Sequence, residues 1–511
     1  MNEARKKKGL FDYFLGGVEC VGNKIPDPMV LFLGLSVLTI LLSYVLSGIG
    51  YSGINPATGE EVMVYNLLSV EGLLKMITSA VSNFTGLPAL GMVLVCMMGV
   101  GVCDQSGLFS AGLRNVVESS KGSDIKIIIV FLFACVMADM AGGTGFVVMP
   151  PLGAIIFMAM GRHPLAGMLA AYASVSGAFA SNLLVTSQDV VNLSYTELAA
   201  KMVDADIALS PAINWYFSAA SVVALTLVTT CITVKVVEPR LGKYTGMAAA
   251  EKVETVKEQD KRAIKRSLLA AGIFLVLIAA GTIPPNGILR DPATGSPIAS
   301  AAPLMKGLPF LIALLFFIPG VTFGLASGNF RGMKDISAAL GKSMADMGSY
   351  IALIFVSAQF LNYFSWSNIG IVVAIKAAEA LQASGFPIPV VLVLFATVCA
   401  LINLVIGGAS TKWAILAPIF VPMFMFLGYH PALVQMTYRI GDAITNPICP
   451  TFAYFGMLLA LAQRYDKETG LGTLMSNMLP YSLAFYGFMI IQLLFWFFFK
   501  IPFGPGGPVY Y

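Results

Sequence analysis

Residues 144–167, TGFVVMPPLGAIIFMAMGRHPLAG, and residues 411–434, TKWAILAPIFVPMFMFLGYHPALV, lie over one another without a gap. They agree at Thr144/Thr411, Pro151/Pro418, Phe157/Phe424, Met158/Met425, Gly161/Gly428, His163/His430 and Pro164/Pro431, which marks an internal repeat. The two histidines are the only ones in the chain, and each precedes a proline suited to the first position of a helix. A structural role is therefore expected of them rather than proton handling. Upstream of each copy lies a run of small residues: Gly142, Gly143 and Thr144 in the first, Gly407, Gly408, Ala409, Ser410 and Thr411 in the second. Downstream each has a polar break inside an apolar run, SGAFASNLLVTSQD at 176–189 and GDAITNPICP at 441–450.

The rest of the chain sets this repeat in a membrane. Of 511 residues, 57% are hydrophobic and only 11% charged, against about 25% charged in soluble proteins. A soluble globular fold is excluded, and an all-α polytopic membrane protein is expected. With 31 basic and 27 acidic residues, and most of the basic ones between apolar runs, nucleic acid is not an expected partner. The seven cysteines form no CxxC, so neither a disulfide framework nor a metal site is indicated.

Nine apolar runs are long enough to span, at 28–49, 87–103, 164–190, 213–237, 267–283, 308–324, 347–364, 430–462 and 481–499. The segment 238–266 carries eight Lys or Arg, whereas 51–86 has only Lys75, so the N-terminus is expected in the cytoplasm. Two further apolar stretches, 126–160 and 388–427, have both flanks on one side and must turn back. Re-entrant hairpins fit their length better than the alternative of two full crossings each, which need about 20 residues per crossing. Residues 365–385 are expected to form an amphipathic helix at the outer surface, with Lys376 and Glu379 on its wet face. The chain then divides into a cytoplasmic segment 1–26, a first membrane half 27–237, a cytoplasmic linker 238–266 and a second half 267–511. Five crossings separate the hairpins in this scheme, so the copies have opposite orientation. Inverted repeats with broken helices are a feature of secondary transporters.

Charges within spans need a partner, water or a function, and Asp139, Asp189, Lys412, Arg439 and Asp442 are such charges. Arg439 is the candidate grip for a substrate carboxylate, through its planar fork. Its spacing from Asp442 also allows a purely structural pair. Asp189 is the candidate coupling carboxylate, with a helix cap as the alternative. Lys412 either holds a substrate carboxylate, replaces a bound cation or snorkels to water; with Asp189 and Asp442 it completes the coupling set. Asp139 is a candidate partner for Lys412. Trp413 either stacks on an aromatic substrate or packs. Ser410 at the second tip, and Ser181–Asn182 and Thr445–Asn446 in the breaks, are placed to line a site or to satisfy broken backbone. Asn182, Asp442 and Asn446 are the candidate lining of a sodium site; no organic cofactor and no other metal is expected.

The chain resembles the p-aminobenzoyl-glutamate transporter, or AbgT, family nearly end to end. The resemblance is carried by GNKIPDPMVLF at 22–32, GRHPLAGMLAAYASVSGAFASNLL at 161–184, INLVIGGASTKWAILAPIFVPM at 402–423, YRIGDAITNPICPTFAYFG at 438–456 and MLPYS at 478–482. It implies nine transmembrane helices plus two hairpins, and a homodimer with an inner dimerising core and one outer transport domain per protomer, in the bacterial cytoplasmic membrane. It implies uptake of p-aminobenzoyl-glutamate or export of sulfonamide antimetabolites, coupled to the proton motive force or to sodium. The family's functional Asp, Trp, Pro and Arg map by motif onto Asp189, Trp413, Pro431 and Arg439. One departure is the pair Pro447 and Pro450 within TNPICP at 445–450, which is expected to reshape the second break. Another dicarboxylate or peptide-like substrate, or a channel, is the competing reading. No HExxH or GxSxG motif supports an enzyme.

Overall fold

The computed structural model describes residues 28–56, 59–119, 124–141, 143–244, 257–299, 301–405, 408–449, 452 and 454–511. The N-terminal segment, residues 245–256 of the linker, and Gly142, Gly407 and Pro450 lie outside them, as does the side chain of Asp139. Helix α1 (Pro28–Gly48) leads to an antiparallel ribbon, β1 (Ser52–Ile54) and β2 (Glu61–Met63). Helices α2 (Val70–Thr85), α3 (Pro88–Gln105) and α4 (Leu108–Ser119) follow. Next come a helix pair, α5 (Asp124–Met137) and α6 (Gly143–Ala159), and a broken helix, α7 (Pro164–Gly177) and α8 (Ser187–Ala200), with a short 3-10 turn Ala178–Ala180 between. Helices α9 (Trp215–Ile232), α10 (Glu258–Thr282), α11 (Leu308–Ser327), α12 (Met333–Asp346), α13 (Gly348–Trp366) and α14 (Ile369–Ser384) connect to the second copy. That copy repeats the plan: the pair α15 (Ile388–Val405) and α16 (Ala409–Phe426), then α17 (Pro431–Thr445), a 3-10 turn Asn446–Ile448 and α18 (Phe455–Tyr465). Helix α19 (Leu471–Phe498) closes the chain.

Among the described residues seven helices are long and apolar enough to cross a membrane, or eight if α12 and α13, bent by 41°, form one span. Six of the runs read from the sequence coincide with such helices, and 347–364 falls on α13 of the bent pair. The runs 164–190 and 430–462 are each split into two shorter helices. By length and composition α16 also qualifies as a crossing, although the sequence places it in a hairpin. The 365–385 segment is the helix α14, with Lys376 and Glu379 exposed and paired at 3.2 Å, but its other face is buried in the protein.

The repeated turns are built alike. Arg162 N donates to Phe157 O at 2.8 Å and Gly161 N to Met158 O at 2.9 Å; Tyr429 N to Phe424 O and Gly428 N to Met425 O are both 2.9 Å. This is the paired closure of a helix C-terminus that needs a left-handed residue, and Gly161 and Gly428 have φ of +70° and +83°. His163 and His430 then cap the next helix, each accepting through Nδ1 from the backbone N–H two residues on, at 3.3 and 3.2 Å. Helix α7 is buried along its whole length, and α17 is buried from Pro431 to Ile444. These two broken helices are the centre of the molecule.

Contacts between connecting segments sort into two sets. In one, Arg162 makes a bidentate pair with Glu238 at 2.8 and 2.5 Å, Arg240 Nη2 donates to Ser476 Oγ at 2.5 Å, and Asn329 Nδ2 to Ser106 O at 2.8 Å. In the other, Asn368 Nδ2 donates to Met63 O at 3.0 Å, His430 N to Val509 O at 3.0 Å, and Tyr511 Oη to Asp204 Oδ2 at 2.9 Å.

Candidate functional site

The two breaks meet. Residues 178–180 stop α7 in a 3-10 turn, and Thr186 restarts the chain as the N-cap of α8 in a reciprocal capping box with Asp189. Asp189 Oδ2 accepts from Thr186 N at 2.6 Å and from Thr186 Oγ1 at 2.8 Å. Its other oxygen accepts from Arg439 Nη1 of α17, an ion pair across 250 positions of sequence. Arg439 Nη2 donates to Phe179 O in the first break at 2.6 Å, and the guanidinium lies 5.4 Å from the Phe179 ring centre. Arg439 Nε is buried without a hydrogen-bond partner among the described residues. Asn446, which opens the second break, donates through Nδ2 to Ser176 O near the end of α7 at 3.2 Å.

A second ion pair is made by Asp442, three residues further along α17. Lys412, in the first turn of α16, places Nζ 2.5 Å from Asp442 Oδ1 and against Asn403 Oδ1. Asn403 Nδ2 faces Asp442 O at 2.8 Å, Thr445 Oγ1 at 2.9 Å and Asn446 Oδ1 at 2.8 Å. Lys412, Arg439 and Asp442 are 2, 2 and 1% exposed, so both pairs lie in a medium where an unpaired charge is expensive. Arg439 and Asp442 are therefore partners of other residues and not of each other, because each meets an opposite charge brought by a different element. Lys412 pairs with Asp442; the side chain of Asp139, its other candidate partner, lies outside the described residues.

Of the residues singled out from sequence, Asp189 and Arg439 form one group, and Lys412, Asp442 and Asn446 a second. Ser410 joins α16 to the start of α8, its Oγ accepting from Gln188 Nε2 at 3.1 Å. Trp413 is fully buried; its Nε1 donates to Thr196 Oγ1 at 2.8 Å and Asn192 O at 3.2 Å, and its ring stacks on Tyr438 at 4.5 Å. Asn182 accepts from Leu184 N at 3.1 Å, and its Nδ2 is buried without a hydrogen-bond partner among the described residues. Among the described residues it shares no hydrogen-bond partner with Asp442 and Asn446, which both meet Asn403. Pro431 is the first residue of α17, about 12 Å along the helix from Arg439, and the fold does not bring it into either group.

Reasoning from sequence missed Asn403 and Tyr438, whose hydroxyl donates to Ala409 O, and the buried chain Trp413, Thr196, Gln435 and Asn214. In that chain Thr196 Oγ1 meets Gln435 Oε1 at 2.5 Å and Gln435 Nε2 donates to Asn214 Oδ1 at 2.7 Å. The signal that could have found them is an amide inside an otherwise apolar run, which must find a partner once buried.

Residues 13–511 match the family model of the AbgT putative transporter family. The p-aminobenzoyl-glutamate transport protein of Escherichia coli (strain K12) is 37% identical over 493 residues, 96% of each chain. Among solved structures, the YdaH transporter of Alcanivorax borkumensis has a TM-score of 0.89 and 38% identity over 94% of this chain and all of that one. MtrF of Neisseria gonorrhoeae, described as one of a class of antimetabolite efflux pumps, has a TM-score of 0.90 and 38% identity over 97% of this chain and all of that one. Its relatives are transporters and not enzymes, and the chain belongs to the AbgT transporter family.

Proposed function

We propose that the protein is a proton-coupled secondary carrier of p-aminobenzoyl-glutamate or a related aromatic carboxylate. One observation carries the reading: the buried Arg439–Asp189 pair bridging the two helix breaks. A substrate carboxylate entering the site takes the place of Asp189 on Arg439, whose fork suits it. Asp189, parted from its counter-charge, is then the carboxylate through which substrate movement is coupled to the proton gradient. The name of the Escherichia coli relative favours this substrate, and the description of MtrF favours export of an antimetabolite through the same site.

The proposed frame is nine crossings and two re-entrant hairpins in an inverted repeat, with the N-terminus in the cytoplasm of a bacterial inner membrane and two copies forming a dimer. The matching turns at Gly161 and Gly428 support the repeat. The five crossings read between the two hairpins support their entry from opposite sides. The second tip meets Tyr438 and Gln188, midway along the broken helices, where a re-entrant hairpin stops.

Uptake of labelled p-aminobenzoyl-glutamate into proteoliposomes, with proton and sodium gradients imposed separately, tests the reading. Accumulation is expected with the proton gradient alone and is lost in Asp189→Asn. Arg439→Ala weakens substrate binding by roughly 10- to 100-fold, the share of a charge-assisted hydrogen bond. Gradient-independent flux, or unchanged binding by folded Arg439→Ala, overturns it.

A further inference from the structure

We propose that the ammonium of Lys412 is a built-in cation, occupying the place that sodium would take in the second break, so that the wild-type protein has no sodium site there. The setting is one that suits a monovalent cation. Asp442 Oδ1, Asp442 O, Thr445 Oγ1, Asn446 Oδ1 and Asn403 Oδ1 converge at the C-terminal end of the half-helix α17. Such ends carry freed carbonyls and the negative pole of the helix dipole, and transporters use them to coordinate cations.

Here that setting is already filled. Lys412 reaches from the first turn of α16, where its charge opposes its own helix dipole, to Asp442 Oδ1 at 2.5 Å and to Asn403 Oδ1. Asn403 turns its amide nitrogen toward the remaining oxygens, at 2.8 to 2.9 Å, so donors take the acceptors a metal ion would need. Charge balance points the same way. Apart from Asp291 in the loop after α10, the buried Asp, Glu, Lys and Arg side chains among the described residues are Asp189, Lys412, Arg439 and Asp442. They cancel in two pairs, and a sodium ion added beside Lys412 brings an uncompensated positive charge into a low-dielectric interior. Asn182, the third candidate sodium ligand, is held in the first break by Leu184 N.

Removing the ammonium while keeping Asp442 leaves an oxygen-lined space with a bare carboxylate, and it should acquire the ion. The test is thermal unfolding of the purified full-length protein in detergent, without substrate, with sodium chloride titrated against N-methylglucamine chloride at constant ionic strength. Wild type and Lys412→Arg are expected to show no sodium-specific shift. Lys412→Ala is expected to show a saturable rise in midpoint of roughly 3 °C or more, abolished by adding Asp442→Asn. Should Lys412→Ala fail to fold, Lys412→Met, which keeps the volume of the stem, carries the same measurement. A sodium-specific shift in wild type overturns the proposal, as does a folded Lys412→Ala or Lys412→Met without one. The consequence for coupling rests on the carrier reading, but binding is measured here without transport. A failed uptake assay and a failed sodium test are therefore separate results.

Discussion

Asn403 lies in α15 with its side-chain oxygen on Lys412 and its nitrogen toward Asp442 O, Thr445 Oγ1 and Asn446 Oδ1. One amide thus holds the second hairpin to the second break and keeps the Lys412–Asp442 pair in register. Asn403→Ala leaves an ammonium donor and an Asn446 oxygen without their partner in a buried place. Each such loss costs about 1–3 kcal/mol, so a marked drop in unfolding midpoint is expected, whereas Asn362→Ala, which removes only a bond to Ala358 O in its own helix, changes it little. Equal midpoints for the two variants would remove Asn403 from this role. The sequence shows Asn403 only as one amide in an apolar run. Arg439, Asp189, Lys412 and Asp442 are visible because charges are rare in spans, but their partners are not. Asp189 meets Arg439 from 250 positions away, and the spacing of Arg439 and Asp442 on one helix suggests a pair that other elements pre-empt. Trp413 is legible as a special aromatic, but its stacking on Tyr438 is set by how α16 crosses α17.

The Gly-x-His-Pro turn is the element that both copies share, and its demands are local. Gly161 and Gly428 sit at positive φ, and a Cβ added to either would meet no atom within 4 Å, so alanine there meets backbone strain alone, about 1–2 kcal/mol. Gly161→Ala and Gly428→Ala should therefore lower thermal stability by similar amounts, and a large inequality would mean that the turns are not equivalent. Gly153 and Gly167 differ in kind, since a Cβ on either would run into the carbonyl oxygen of the other where α6 crosses α7. Gly153→Ala overpacks that crossing at a cost of about 1–3 kcal/mol, and unfolding midpoints of the three variants side by side check the order. Local demand also explains what could be read in advance. A left-handed glycine, a capping histidine and a proline at the first helical position leave fixed letters at fixed spacing, so the repeat and its breaks are legible. The ribbon of β1 and β2 has strands of three residues, too short for a two-residue period to register. Helices α2 and α12 keep one apolar face only, so a scan for wholly apolar runs passes over them.

At the scale of the whole molecule, the distribution of basic residues among the connecting segments predicts one orientation. Arg162 meets Glu238 and Arg240 meets Ser476 at one end of the basic linker 238–266, and Gln259 near its other end donates to Ser327 O, beside the Asn329–Ser106 contact. Asn368, His430, Asp204 and Tyr511 make the second set of contacts, in segments poor in Lys and Arg. Basic residues stay on the cytoplasmic side of a membrane, so the first set is expected inside and the second outside. Ala293, in the loop between α10 and α11, and Lys467, between α18 and α19, are both exposed and fall on opposite sides in this arrangement. In a background lacking the seven native cysteines, Ala293→Cys should react with a membrane-impermeant maleimide in spheroplasts. Lys467→Cys should react only after permeabilisation. The opposite pattern would invert the molecule, and reaction of both from one side would mean an even number of crossings between α10 and α19. An even count cannot be reconciled with two copies facing opposite ways, so labelling of both residues from one side would remove the inverted repeat on which alternating access through the Arg439–Asp189 site depends.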